Sequence, residues 1–186
     1  MSNVRVAVVT GSNKGIGLAI VRALCRQFPG DVYLTSRDAG RGQAAVAQLQ
    51  QEGLHPLFHQ LDIDDLQSIR ALRDFLKDKY GGLDVLVNNA GIAFKGGKCS
   101  PGVLSKDFSL NMSMTENVRR KSLFILFSGR VVNVSSMVSS SALRGCSQEL
   151  QQKFRSDAIT EEELVQLMAK FVEDTKRGVH EKEGWP

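Results

Sequence analysis

Cysteine is sparse in this chain of 186 residues: Cys25, Cys99 and Cys146 are odd in number, far apart and in no Cys-x-x-Cys pair. That excludes a disulfide-stapled scaffold, argues against a structural zinc site and points to a reducing compartment. Long apolar runs are also missing. No stretch approaches the roughly eighteen residues of a membrane span, and the first residues lack the basic-then-apolar pattern of a secretory signal. Charge of one sign never accumulates: 24 Lys+Arg stand against 20 Asp+Glu, a formal +4, and the longest basic run is Arg119-Arg120-Lys121. A nucleic-acid surface needs its cations gathered on one face, so these mixed charges read as solvated surface despite a pI near 9.1. The expectation is a cytoplasmic protein with no membrane, nucleic-acid or metal partner.

What is present describes an ordinary globular chain, 42% hydrophobic and 24% charged. At about 150 residues per domain, residues 1–186 read as one domain. Val4 to Val9 is a β-branched run that stops at Thr10-Gly11, a buried strand entering a glycine turn. From Gly15, the residues Ile16, Ala19, Ile20, Ala23 and Leu24 recur at helical spacing, and Pro29-Gly30 ends that helix. The alternation repeats with strands at 31–35, 57–63, 83–89 and within 129–136, and with helices at 41–52 and 65–80. Such a pattern predicts an α/β fold with a parallel, doubly wound sheet of about five strands. Residues 96–128 break the rhythm and end in the apolar patch Leu123 to Phe127. Further on, 148–154 reads as a short helix. Thr160 with Glu163 fits a capping box, followed by the stripe Leu164, Leu167, Met168, Phe171 and Val172.

The first turn carries the strongest chemistry. Thr10, Gly11, Ser12, Asn13, Lys14, Gly15, Ile16 and Gly17 lie between a strand and a helix, where main-chain N–H groups and the positive end of the helix dipole can receive a diphosphate. The glycines permit a tight turn and close approach of phosphate to backbone, although their spacing is G-x-x-x-G-x-G. A tight turn without a ligand is the plain alternative. After the second strand stands Arg37. An Arg there can neutralise a ribose 2′-phosphate where a carboxylate would select the 2′-hydroxyl, so Arg37 with Lys14 points to NADP(H). A surface ion pair with Asp38 is the alternative use of Arg37.

The ordered set TGSNKGIG (10–17), LDI (61–63), NNAG (88–91) and NVSS (133–136) resembles the short-chain dehydrogenase/reductases. The wording of 1–95 and 129–186 is most similar to the monomeric NADPH-dependent carbonyl reductases of that family. The resemblance implies a Rossmann-type fold and hydride transfer to small-molecule ketones, aldehydes or quinones. It also implies that Asp62 and Ile63 contact the adenine, that Asn89, Ala90 and Gly91 line the cofactor and brace the central strand, and that Ser136 is the catalytic serine holding the substrate carbonyl.

Two departures qualify it. The family's proton donor is the Tyr of a Tyr-x-x-x-Lys motif, but the only tyrosines are Tyr33 and Tyr80, followed four residues later by Arg37 and Asp84. The chain reads as truncated before that motif and, alone, as catalytically impaired. Within 96–128 the resemblance stops and Asn111 does not sit in the family pattern; the change of character at Lys95–Gly96 and Ser128–Gly129 suggests a spliced or mistranslated segment. An open strand edge at 130–134, carrying Val131, Val132 and Val134, is expected to promote self-association. A non-catalytic NADP-binding or interaction protein derived from a carbonyl reductase is the alternative function.

Overall fold

The computed structural model describes residues 4–90, 129–135 and 137–186. The expectations placed on Gly91, Asn111, the atypical 96–128 segment and Ser136 fall outside them. The described residues divide between two compact units.

The first unit holds the sheet. Its elements are β1 (Arg5–Val9), α1 (Gly15–Gln27), β2 (Gly30–Ser36), α2 (Ala39–Gln51), β3 (Leu57–Gln60), α3 (Leu66–Tyr80), β4 (Val85–Asn88) and β5 (Arg130–Asn133). All pairings are parallel and the strand order is β3-β2-β1-β4-β5, the order of one half of a Rossmann-type sheet extended by β4 and β5. The register sets Val8 opposite both Tyr33 and Leu86. Because side chains alternate along a strand, β1 feeds two cores. Val6 and Val8 pack with Tyr33, Leu86 and α3 through Ile69, Leu72, Leu76 and Tyr80. Ala7 and Val9 pack on the opposite face with Val32, Leu34 and Val87, and with α1 and α2 through Leu18, Val21, Ala45 and Leu49. Each fully buried valine of β1 contributes about 1.5–3 kcal/mol by leaving water. Only a central strand covered on both faces can carry so continuous a β-branched run.

Among the described residues β5 is an end of the sheet. Val131 packs against the α3 core, whereas Val132 is 48% and Val134 40% exposed. The expected open edge is therefore present among these residues.

The second unit comprises α4 (Met137–Gly145), α5 (Gln148–Arg155) and α6 (Glu161–Lys176), packed around Leu150, Phe171 and Trp185. Thr160 and Glu163 form the capping box read from the sequence. Buried Asp174 accepts from Trp185 Nε1 at 3.0 Å and Lys170 Nζ at 2.6 Å, and Lys170 also reaches Glu183 at 2.7 Å. This ties residues 183–185 to α6, and Lys170 holds the Asp174 carboxyl below its ordinary range. Helix α4 was not expected from the sequence. Its run Ser139-Ser140-Ser141 weakens the apolar period, and serine competes with the helix for its own backbone. Among the described residues no helix is long and apolar enough to cross a membrane, and no group of three or more His, Cys, Asp or Glu could hold a metal ion.

Candidate cofactor site

In a parallel sheet every strand delivers its carboxyl end to the same edge, and here those ends carry Thr10–Lys14, Ser36–Arg37, Leu61–Ile63 and Asn89–Ala90. Buried hydroxyls lock them together. Ser12 Oγ donates to Val9 O at 2.8 Å and accepts from Thr35 N–H at 3.0 Å, while Ser12 N–H donates to Thr35 O at 2.9 Å. Thr10 Oγ1 accepts from the N–H groups of Asn89 (3.0 Å) and Ala90 (2.9 Å). Asn89 Nδ2 returns bonds to Thr10 O at 3.0 Å and Gly11 O at 3.1 Å. Thr10 and Ser12 thus shape the turn with hydroxyls already committed to backbone, and Asn89 braces β1 against β4.

The turn itself leaves space for a ligand. Gly11 and Gly15 adopt φ of 59° and 58°, the left-handed region that glycine enters at least cost. A Cβ placed on Gly15 would meet no atom within 4 Å, so the backbone there borders open space. Helices α2, α3, α5 and α6 are capped by the side chains of Asp38, Asp65, Ser147 and Thr160, whereas Lys14 at the start of α1 makes no side-chain cap. The first N–H groups of α1 therefore have no side-chain cap, at the positive end of the helix dipole. These features fit a diphosphate-bearing cofactor.

Lys14 and Arg37 are exposed and have no ion-pair partner among the described residues. The surface pair between Arg37 and Asp38 does not form. Asp38 instead caps α2 by accepting from Arg41 N–H at 2.8 Å and meets the Arg41 guanidinium at 3.4 Å. The Arg41 amide, followed by its guanidinium, holds the Asp38 carboxyl below its usual range. Gln60 Nε2 donates to Arg37 O at 3.0 Å and so fixes the Arg37 backbone from the neighbouring strand. Asp62 and Ile63 come after the last rung of the β2–β3 ladder, Leu61 N–H to Ser36 O at 3.0 Å, and Ile63 packs against the α3 core. Sequence reasoning missed Gln60 and Ser68 as braces of this edge. The only signal was a polar residue ending a strand and a serine six positions after Asp62.

The family model for short chain dehydrogenases matches residues 5–148, which include each of these strand ends. This chain belongs to the short chain dehydrogenase family. It is 67% identical over 188 aligned residues to carbonyl reductase (NADPH) 1 of Homo sapiens, covering all of this chain and 68% of that protein. Among solved structures, menthone neomenthol reductase from Mentha piperita superposes with a TM-score of 0.78 at 30% identity, covering 100% of this chain and 78% of that one. A metagenomic short-chain oxidoreductase in complex with NADP gives 0.62 at 25% identity, covering 94% of this chain and 78% of that one. The family match spans residues 96–128 as well.

Neither tyrosine of this short chain dehydrogenase stands at the carboxyl edge of the sheet. Tyr33 and Tyr80 lie in the α3 core with their hydroxyls 2.9 Å apart. Tyr80 donates to Asp31 at the start of β2, and Lys79 Nζ donates to Tyr33 at 3.0 Å. Burial first, and then the bond to Asp31, push the Tyr80 phenol well above its usual range. A raised folded-state value stabilises the fold fully below the unfolded pKa of about 10, and that stabilisation is lost as pH climbs above it. Melting curves between about pH 9 and 11 should therefore fall more steeply for the wild type than for Tyr80→Phe. Parallel slopes would show that Tyr80 does not titrate on unfolding.

Proposed function

We propose that this short chain dehydrogenase is an NADPH-dependent oxidoreductase of the carbonyl reductase type, with ketones, aldehydes or quinones as its substrate class. The carrying observation is the pair Lys14 and Arg37, exposed and without ion-pair partners among the described residues, on strand ends that Ser12 and Thr35 lock together. They stand beside a turn whose helix start has no side-chain cap. The name of the Homo sapiens relative and the NADP of the metagenomic neighbour support the reading.

NADPH supplies a hydride when bound. The α1 N–H groups receive its diphosphate, Lys14 and Arg37 its 2′-phosphate, and Asp62 and Ile63 its adenine. Asn89, Ala90 and Gly91 line the middle of the site. Ser136 holds the carbonyl oxygen of the substrate. The reaction also needs a proton for that oxygen, and losing a positioned general acid lowers the rate by about 10² to 10⁴. The Tyr-x-x-x-Lys motif is not among these 186 residues, and both tyrosines are occupied in the core. These residues alone accordingly act as an NADPH-binding module without appreciable turnover.

Titration of the 186-residue chain with NADPH and NADH, with a quinone added afterwards, tests this. Saturable, NADPH-selective binding without NADPH oxidation is expected. Absence of binding would overturn the cofactor reading, and rapid oxidation would overturn the claim of impairment. For these residues alone, the exposed Val132 and Val134 on an edge strand favour pairing with another copy. Sedimentation of the same samples at two concentrations should give a mass that rises with concentration, and a constant monomer mass would contradict it. A cytoplasmic, reducing setting fits an odd number of cysteines in no Cys-x-x-Cys pair, of which Cys25 and Cys146 are free.

A further inference from the structure

We propose that Ser68 is a positioning residue for the adenine end of the cofactor site, acting by holding the main chain of Asp62. The proposal rests on the cofactor reading above. Strand β3 is at one end of the sheet, so once the ladder stops at Leu61 no neighbouring strand among the described residues fixes the chain beyond it. Side chains and turns replace that strand. Ser68 Oγ accepts from Asp62 N–H at 3.0 Å, Asp62 Oδ1 accepts from Asp64 N–H at 3.0 Å, and Asp62 O accepts from Asp65 N–H at 3.2 Å. Asp65 in turn caps α3 through Gln67 N–H at 2.8 Å.

The two contacts within residues 62–65 would travel with the loop if it shifted, and the Gln67 bond holds only Asp65 to the start of α3. The bond to Ser68 differs. Its neighbour Ile69 is buried in the α3 core with Leu72 and Leu76, so the Ser68 hydroxyl has a position set by core packing and passes it to Asp62. The Asp64 N–H holds Oδ1 of Asp62, and Oδ2 is then the oxygen that this reading gives to an exocyclic amino group. A carboxylate oxygen so placed favours a base that carries an amino group over one that carries a keto oxygen at the same position. Without the Ser68 bond, Asp62 no longer presents Oδ2 in a fixed place, and that preference goes.

The test measures binding of NADPH and of its hypoxanthine analogue, in which a keto oxygen replaces the adenine amino group, to the 186-residue chain. The wild type should prefer NADPH by about tenfold or more, the worth of one hydrogen bond to a charged group. Ser68→Ala should weaken NADPH by about the same factor and leave the analogue unchanged, whereas Ser68→Thr, which keeps the hydroxyl, should retain the preference. Should the alanine variant fail to fold, the near-isosteric pair Ser68→Thr and Ser68→Val asks the same question. Equal weakening of both ligands, or no weakening of either, would assign Ser68 a merely structural role and overturn the proposal. Equal binding of both ligands by the wild type would overturn it while leaving the cofactor reading intact. A wild type that binds neither would overturn both.

Discussion

Gly17→Ala is expected to abolish NADPH binding, weakening it by more than about a hundredfold, and to destabilise the first unit by about 1–3 kcal/mol. The added Cβ would lie 2.4 Å from Asn89 Nδ2, 2.7 Å from Ser12 Cα and 2.9 Å from Gly11 O. The last two are backbone atoms, so no side-chain rotation relieves them. If Asn89 yields, it gives up its bonds to Thr10 O and Gly11 O, and the turn separates from the end of β4. Gly15→Ala is the informative companion. Its Cβ meets nothing within 4 Å, but its φ of 58° costs an alanine about 1–2 kcal/mol, and the methyl group intrudes where phosphate would approach. That variant should stay folded and lose binding. Thermal melts run beside cofactor titrations separate the two cases, and a Gly17→Ala protein that binds normally would refute the close packing of turn on β4.

Replacing both Lys14 and Arg37 with Ala should weaken NADPH by about a hundredfold or more, since a hydrogen bond to a charged group contributes about 1.5–3 kcal/mol and each 1.4 kcal/mol is a factor of ten. NADH, which lacks the 2′-phosphate, should change by no more than about threefold. Both side chains are exposed, so raising the salt concentration should reproduce part of the effect in the wild type. Equal weakening of the two dinucleotides would mean that these cations serve the turn rather than the 2′-phosphate. Arg41 stands as an internal control. Its guanidinium is paired with Asp38, so its removal alone should act mainly through the start of α2.

The sheet was legible because β1 has to satisfy two cores at once. A run in which Val6, Ala7, Val8 and Val9 are all fully buried leaves its mark in composition, and the glycines after it mark the turn. The spacing also gave the α6 stripe and the Thr160 capping box. Polar side chains were less legible. Nothing in the sequence tells whether a hydroxyl such as that of Ser12 faces a ligand or closes onto Val9 and Thr35, because the distinction depends on a strand 23 residues away. Whether Arg37 pairs with Asp38 was open for a similar reason. It is settled by where α2 begins, and helix starts are set by competition among several candidate caps. Helix α4 escaped notice because its serines carry little periodic signal.

Trp185 is the only tryptophan in the chain. It lies in the core of the second unit, its ring centroid 4.9 Å from that of Phe171 with the planes tilted by 35°, and its indole N–H on Asp174. The described residues proposed for cofactor binding all belong to the first unit. Intrinsic tryptophan emission therefore reports on the packing of α5 and α6. The two halves of the chain thus carry separate optical labels, indole for one and bound reduced nicotinamide for the other. Denaturation monitored at both wavelengths would show whether they come apart together or in turn.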